Sequence, residues 1–110
     1  MTSEERHELR YQRRKARREA KKIATFGVNN MPSIDIVGWY GPKVNLAPFA
    51  NILSRLAEDE AFVIGRKAEY SDYALPGANN YVSRIHCMIT KSGDKYTLWD
   101  CSLNGTTVEF

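Results

Sequence analysis

The sequence has few cysteines, few prolines and no long hydrophobic run. Its 110 residues include two Cys and four Pro, and 43% are hydrophobic. No apolar run reaches the roughly 18 residues of a membrane-spanning helix, and residues 1–22 lack the apolar centre of a secretory signal. We therefore expect no membrane partner, and a location in the cytoplasm or, in a eukaryotic host, in the nucleus.

The small number of Cys and His residues also limits the chemistry. Cys87, Cys101 and two scattered His do not have the spacing of a zinc site. We expect free thiols, no metal and no cofactor. Ser83 and His86 lie three residues apart with no third residue to orient them, so the sequence contains no recognisable catalytic triad. Because no metal cluster or phosphate-binding glycine loop is recognisable either, we predict that the protein is not an enzyme.

What the sequence does have is a strongly basic beginning. Residues 1–22 carry nine Lys or Arg and four Glu, a net charge of +5, whereas the rest carries seven basic and nine acidic residues, a net charge of −2. Thr2 and Glu5 have capping-box spacing, which predicts a helix over residues 2–23. Its apolar residues are sparse, so we expect the helix to project from the body as an arm of residues 1–23.

Two interpretations of this arm remain open. It is either a contact for nucleic acid or another polyanion, or a solvated tail that aids solubility. The basic cluster also matches a localisation signal in composition alone. The candidate contacts for a polyanion are Arg13, Arg14, Lys15, Arg17 and Arg18.

Residues 24–32 contain Gly27, two Asn and Pro32, which is typical of a linker, and a domain follows at residues 33–110. Partial alternation predicts a strand over residues 33–40. An apolar stripe predicts a helix over residues 46–57, with Asn45 as its cap and its apolar face against the body. The stripe consists of Leu46, Phe49, Ile52, Leu53 and Leu56. Further strands are predicted at residues 61–64 and 70–75.

The clearest local signal is a hairpin formed by residues 85–91 and 95–100. Gly93-Asp94 fits a two-residue type II′ turn, because glycine stands first. The turn sets a register in which the residue numbers of two paired residues sum to 187, so Cys87 faces Asp100 and Ile89 faces Leu98. Cys101 is then out of register with Cys87, which argues against a disulfide.

Three short motifs stand where predicted strands give way to loops. They are Phe-Val-Ile-Gly-Arg at residues 62–66, Val-Ser-Arg-Ile-His at residues 82–86, and Asp-Cys-Ser-Leu-Asn-Gly-Thr-Thr-Val at residues 100–108. We call the loops that contain Arg66, Ser83 and Asn104 the arginine loop, the serine loop and the asparagine loop. If these loops converge at one end of a β-sandwich, their arginine, serine and asparagine side chains would form a small anion pocket.

In order and spacing, the three motifs resemble the forkhead-associated (FHA) domain. The resemblance implies a mostly β protein with an antiparallel β-sandwich of the FHA/SMAD-like type, here with a basic N-terminal helix and the additional helix near 46–57. It also implies a module that binds phosphothreonine proteins, the products of Ser/Thr kinases. Members of the family usually continue for several strands after the Asn-Gly-Thr motif. We therefore expect a sandwich that is incomplete at the C-terminus. The strand of residues 33–40 would then have a bare edge, unless the chain is a fragment, or the N-terminal strand and the 46–57 helix cover the gap, or a partner covers it.

The resemblance assigns the ligand contacts residue by residue. Arg66 matches the phosphate-binding arginine, and Ser83 matches the hydroxyl that donates to a phosphate oxygen. Arg84 would add charge or a backbone N–H, and Asn104 matches the residue that bonds the main chain of the peptide. The family often has Ser or Thr before this Asn, and here that residue is Leu103, which also recurs in members that bind phosphopeptides.

A second set of residues would support the loops. These are Gly65, His86, Gly105 and Thr106, with His86 bracing the serine loop. Two further hypotheses stay open beside phosphothreonine binding. One is a nucleic-acid-associated protein that binds through residues 1–22 and uses the FHA-like body as a scaffold. The other is an incomplete remnant with no stable fold.

Overall fold

The computed structural model describes residues 1–36, 43–58 and 60–110. These residues contain two α-helices and eight strands, and the strands form two sheets. The elements in chain order are α1 Ser3–Glu19, β1 Lys21–Gly27, β2 Ser33–Ile36, β3 Val44–Asn45, α2 Ala50–Ser54, β4 Ala61–Gly65, β5 Tyr73–Ala74, β6 Cys87–Ser92, β7 Lys95–Asp100 and β8 Thr106–Glu109.

The larger sheet has the strand order β1-β7-β6-β4-β5, and the smaller has the order β3-β2-β8. All pairs are antiparallel except β4 with β5. One hydrophobic cluster joins both sheets, because Ile34 and Ile36 of the smaller sheet share it with Ile64 and Ile89 of the larger. The protein is therefore a mostly β sandwich, as the motifs predicted.

The hairpin of β6 and β7 has the predicted register. Cys87 pairs with Asp100 and Ile89 with Leu98. Gly93 has a φ of 61°, and no described non-glycine residue has a positive φ, which is the pattern of a type II′ turn. Cys87 is fully buried in the core, and both cysteines are free thiols.

In the smaller sheet, β2 does not form the bare edge that was expected. Strand β2 lies in its centre, with β3 on one side and β8 on the other. Ile34 and Ile36 are buried while Asp35 is exposed, as the alternation predicted. The prediction of a bare edge at β2 was wrong, because β8 of this chain pairs there. The rest of the predicted strand, residues 37–40, lies outside the described residues.

The N-terminal segment folds differently from the prediction. The capping box of Thr2 and Glu5 is present, but α1 ends at Glu19. Residues 21–27, expected to finish the helix and begin a linker, form β1, which pairs with β7 along the edge of the larger sheet. Pairing with β7 stabilises an extended conformation that the local sequence does not indicate, and a short 3-10 turn, Val28–Asn30, follows.

The predicted helix of residues 46–57 is shorter in the structure and consists of a 3-10 turn followed by an α-helix. A 3-10 turn, Ala47–Phe49, precedes α2, and the Asn45 side chain accepts a hydrogen bond from the Ala47 nitrogen at 3.1 Å. Leu53 is buried, but Ile52, expected on the apolar face, is 51% exposed. Within the described residues, no helix is long and apolar enough to cross a membrane.

Candidate functional site

Arg66 follows β4, and two of its nitrogens hold it in place by hydrogen bonds. Its backbone nitrogen donates to the Ser83 carbonyl at 3.0 Å, and its Nε donates to the Val82 carbonyl at 2.8 Å. Among the described residues, its two terminal nitrogens have no partner. The guanidinium is therefore fixed in place and can present two donors to a bidentate acceptor such as a phosphate.

Gly65 makes this approach of Arg66 to the serine loop sterically feasible. A Cβ at residue 65 would lie 2.0 Å from the Arg84 carbonyl oxygen and 2.8 Å from Ser71 Oγ. The backbone of the serine loop thus packs directly against the end of β4. Glycine is required here for close approach, not for an unusual φ.

Ser83 lies between the arginine loop and the asparagine loop. Its Oγ accepts a hydrogen bond from the backbone nitrogen of Leu103 at 3.2 Å. Because that bond uses an oxygen lone pair, the hydroxyl hydrogen is left to donate to an incoming acceptor. The Leu103 side chain itself is 95% exposed.

Asn104 and Arg84 complete the predicted set of ligand contacts. The Nδ2 of Asn104 donates to the Tyr81 carbonyl at 2.8 Å, which orients the exposed side chain. Its amide oxygen has no partner among the described residues and can accept a hydrogen bond from a ligand. Arg84 is exposed, and its Cζ lies 5.6 Å from the centroid of the Tyr70 ring. This cation–π contact holds the guanidinium over the Tyr70 ring.

His86 is fully buried and links two of the loops. Its Nδ1 accepts from the Ser83 nitrogen at 3.1 Å, and its Nε2 lies 2.9 Å from the Gly105 carbonyl. A backbone N–H can only donate and a carbonyl can only accept, so the ring is neutral with its hydrogen on Nε2. The pKa of His86 is lowered because the ring is buried. Its hydrogen bond to Gly105 and the charge of Asp100 act in the opposite direction but are smaller effects.

Sequence reasoning missed the role of Asp100 in the asparagine loop. Its Oδ1 accepts from the Ser102 nitrogen at 3.0 Å, from Ser102 Oγ at 2.6 Å and from Thr106 Oγ1 at 2.9 Å. Ser102 Oγ in turn accepts from the Gly105 nitrogen at 2.8 Å. The Asp-x-Ser spacing at residues 100–102 is an Asx-turn signal that could have revealed it. Thr106, predicted as a support, is buried within this network.

The predicted contacts line one cavity of about 400 Å³. Arg66, Ser83, Arg84 and Asn104 all reach it, so the structure brings the three motifs together. The cavity also has a wall that the sequence did not predict, formed by α1 through Gln12, Lys15, Ala16 and Glu19.

Helix α1 packs against the body, so the prediction of a projecting arm was wrong. Arg13 Nη2 lies 3.3 Å from Asp72 Oδ1, and Arg13 Nε donates to the Tyr70 carbonyl at 3.2 Å. The Arg17 guanidinium lies 4.4 Å from the centroid of the Trp99 ring. These contacts use long arginine side chains, which a search for an apolar stripe does not detect.

The five basic residues proposed for polyanion contact therefore separate into three groups. Arg13 and Arg17 face the body, and Lys15 lines the cavity. Arg14 and Arg18 are exposed and share a shallow groove with Tyr11 and Arg17, so Arg17 both contacts Trp99 and lines this groove.

Cys101 lies between α1 and the cavity. Its Sγ donates to the Ala16 carbonyl at 3.7 Å. Burial and the charge of Asp100 raise the pKa of Cys101 to about 12, against the opposing effect of Arg17, so the thiol is not activated as a nucleophile. Across residues 1–36, 43–58 and 60–110, no group of three or more His, Cys, Asp or Glu side chains is arranged to hold a metal ion.

Comparison with known families gives a match over the part of the chain that builds the loops. The model of the FHA domain matches residues 62–110. Searches of curated proteins and of solved structures gave no significant match.

Proposed function

We propose that this chain, whose residues 62–110 match the model of the FHA domain, binds phosphothreonine proteins and mediates phosphorylation-dependent protein–protein interaction in signalling. FHA domains are interaction modules, and we propose that this one is not an enzyme. The observation that carries the proposal is the convergence of Arg66, Ser83 and Asn104 on one cavity.

Charge and hydrogen-bonding capacity both favour a phosphate in this cavity. A phosphothreonine carries about −1.5 to −2 charges at pH 7 and three acceptor oxygens. Arg66 offers its terminal nitrogens, and Ser83 offers a hydroxyl hydrogen beside it. Arg84 adds a second positive charge at the same rim. Asn104 can then bond the peptide main chain and fix its direction across the loops.

The expected affinity follows from the number of such contacts. A charge-assisted hydrogen bond contributes about 1.5–3 kcal/mol. Two or three of them are sufficient for a micromolar complex, which corresponds to about −8 kcal/mol. The partner would be the product of a Ser/Thr kinase. We place the interaction in the cytoplasm, or in the nucleus of a eukaryotic host, in keeping with the two free thiols.

The decisive experiment is calorimetric titration of the full chain with matched phosphothreonine and unmodified threonine peptides. We expect binding of the phosphorylated peptide only, and its loss in Arg66→Ala. Arg55→Ala is the matched control, because Arg55 is exposed at the end of α2 and does not line the cavity. The proposal fails if neither peptide binds, or if Arg66→Ala binds as tightly as the unchanged protein.

A second candidate function is binding of nucleic acid through α1, with the FHA body as a scaffold. The groove of Arg14, Arg17 and Arg18 with Tyr11 favours it, because cationic and aromatic side chains together suit a nucleic-acid strand. Fluorescence anisotropy with a DNA or RNA oligonucleotide should then show binding that weakens steeply with salt. Affinity that is unchanged in the Arg14→Glu/Arg18→Glu double variant would exclude this function.

A further inference from the structure

One face of α1 belongs to the ligand cavity. Gln12, Lys15, Ala16 and Glu19 follow one another at intervals of three, one and three residues, which places them on a single helix face. The FHA match begins only at residue 62, so this wall is supplied by a part of the chain outside the matched segment. A peptide held by Arg66 and Asn104 would therefore also meet α1.

Lys15 is the one cationic side chain on this helix face. It is exposed, and within the described part of the chain it has no ion pair or hydrogen bond. Gln12, by contrast, donates from Nε2 to Glu8 Oε1 at 2.8 Å. The ammonium group of Lys15 is thus available to a ligand, whereas the Gln12 amide is already partly engaged.

The helix is positioned well enough to present this charge. The ion pair of Arg13 with Asp72 and the stacking of Arg17 over Trp99 hold its middle and its last turn. Ala20 alone separates α1 from β1, which is paired along the edge of the larger sheet. These restraints keep Lys15 on the cavity side, although no α1 residue is buried.

We infer that α1 forms part of the phosphopeptide site and that Lys15 selects ligands with an acidic side chain close to the phosphothreonine. This inference rests on the proposed function. Arg66 and Ser83 take the phosphate, and Lys15 meets a carboxylate, or a second phosphate, that the peptide presents towards α1. A basic side chain at the same peptide position would meet repulsion from Lys15, Arg66 and Arg84.

The test uses the full chain and short synthetic peptides. Each peptide has a central phosphothreonine in an alanine background, with either Asp or Lys at one of the two positions before it or the two after it. Fluorescence anisotropy gives the ratio of the two affinities at each position. One solvent-exposed ion pair predicts a preference for Asp of roughly fivefold at the position that faces α1.

The decisive comparison is between two charge reversals on the same helix. Lys15→Glu should invert the preference, so that the Lys peptide binds more tightly than the Asp peptide at that position. Arg14→Glu makes the same change in net charge from the neighbouring residue, which lines other grooves and not this cavity. It should lower both affinities alike and leave their ratio unchanged.

The outcomes separate this inference from the function on which it rests. If Lys15→Glu changes the ratio no more than Arg14→Glu does, while Arg66→Ala still abolishes binding, the role of Lys15 is overturned and phosphothreonine binding stands. If the unchanged protein binds none of the phosphorylated peptides, the proposed function fails and this inference fails with it. Thermal unfolding followed by circular dichroism confirms that both variants are folded.

Discussion

The imidazole Nδ1 of His86 lies 3.1 Å from the backbone nitrogen of Ser83 and accepts its hydrogen bond. The opposite ring nitrogen bonds the Gly105 carbonyl, so one buried side chain connects the serine loop to the asparagine loop. Only the neutral ring can make both bonds. The geometry of the candidate site therefore depends on the protonation state of His86.

This dependence predicts a loss of stability in weak acid. Burial lowers the pKa of His86 in the folded protein, so the unfolded chain binds the extra proton more readily. The stabilisation is complete above the ordinary pKa of about 6.5 and declines as the pH falls through that value. Urea unfolding between pH 7.5 and pH 5 should show a decreasing free energy of unfolding.

The control for this experiment is the other histidine. His86→Gln should lower the free energy of unfolding at pH 7.5 by about 1–3 kcal/mol, because buried partners lose a hydrogen bond, and should remove most of the pH dependence in this range. His7→Gln, on the exposed part of α1, should retain it. Equal pH dependence in both variants would show that His86 is not the titrating group.

Gly65→Ala should damage both the fold and the site. The new methyl group would overlap the Arg84 carbonyl, so the serine loop must move, at a cost of about 1–3 kcal/mol in the free energy of unfolding. Phosphopeptide affinity should fall as well, because Arg66 and Ser83 would separate.

Gly27→Ala is the matched control, since the nearest atom to its added Cβ is Lys95 Nζ at 3.7 Å. It should change the free energy of unfolding by less than about 1 kcal/mol. Chemical unfolding measures the free energy of unfolding of both variants. An equal loss in Gly65→Ala and Gly27→Ala would contradict the packing argument for residue 65.

Leu103→Ser should tighten phosphopeptide binding. The Leu103 side chain is 95% exposed beside Ser83, so a hydroxyl there could donate to the same phosphate without disturbing the core. One added charge-assisted bond, partly exposed to water, predicts up to about tenfold higher affinity in calorimetry. Leu103→Ala removes the same side chain without adding a donor, and a similar gain in that variant would show that the hydroxyl is not the cause.

The hairpin could be predicted because its signal is local, whereas the site loops were assigned through the resemblance of three separate motifs to the FHA domain. Gly93 and Asp94 determine the turn, and the turn determines the register of every pair between β6 and β7. Arg66, Ser83 and Asn104 stand at strand ends in the sequence, and the fold brings those ends to one cavity.

The position of the N-terminal segment could not be predicted in the same way. Residues 21–27 contain two lysines and a glycine, and their strand conformation depends on pairing with β7, far along the chain. The packing of α1 depends on Arg13 and Arg17, whose charges suggested contact with solvent or a polyanion. Side chains of this kind can bond a carboxylate or lie over an aromatic ring as readily as they face water, and the sequence does not distinguish these cases.

The pairing of β1 with β7 has a consequence for the order of folding. Lys21 pairs with Asp100 and Gly27 with Lys95, so the partners are 68 to 79 residues apart in the chain. Contacts over such distances form late, because a long loop must close before they add stability. Strand β1 is synthesised before β7 and cannot pair until β7 is available, and the packing of α1, joined to β1 through Ala20, is delayed with it. We therefore expect the loops of the site to be assembled before its helical wall is in place.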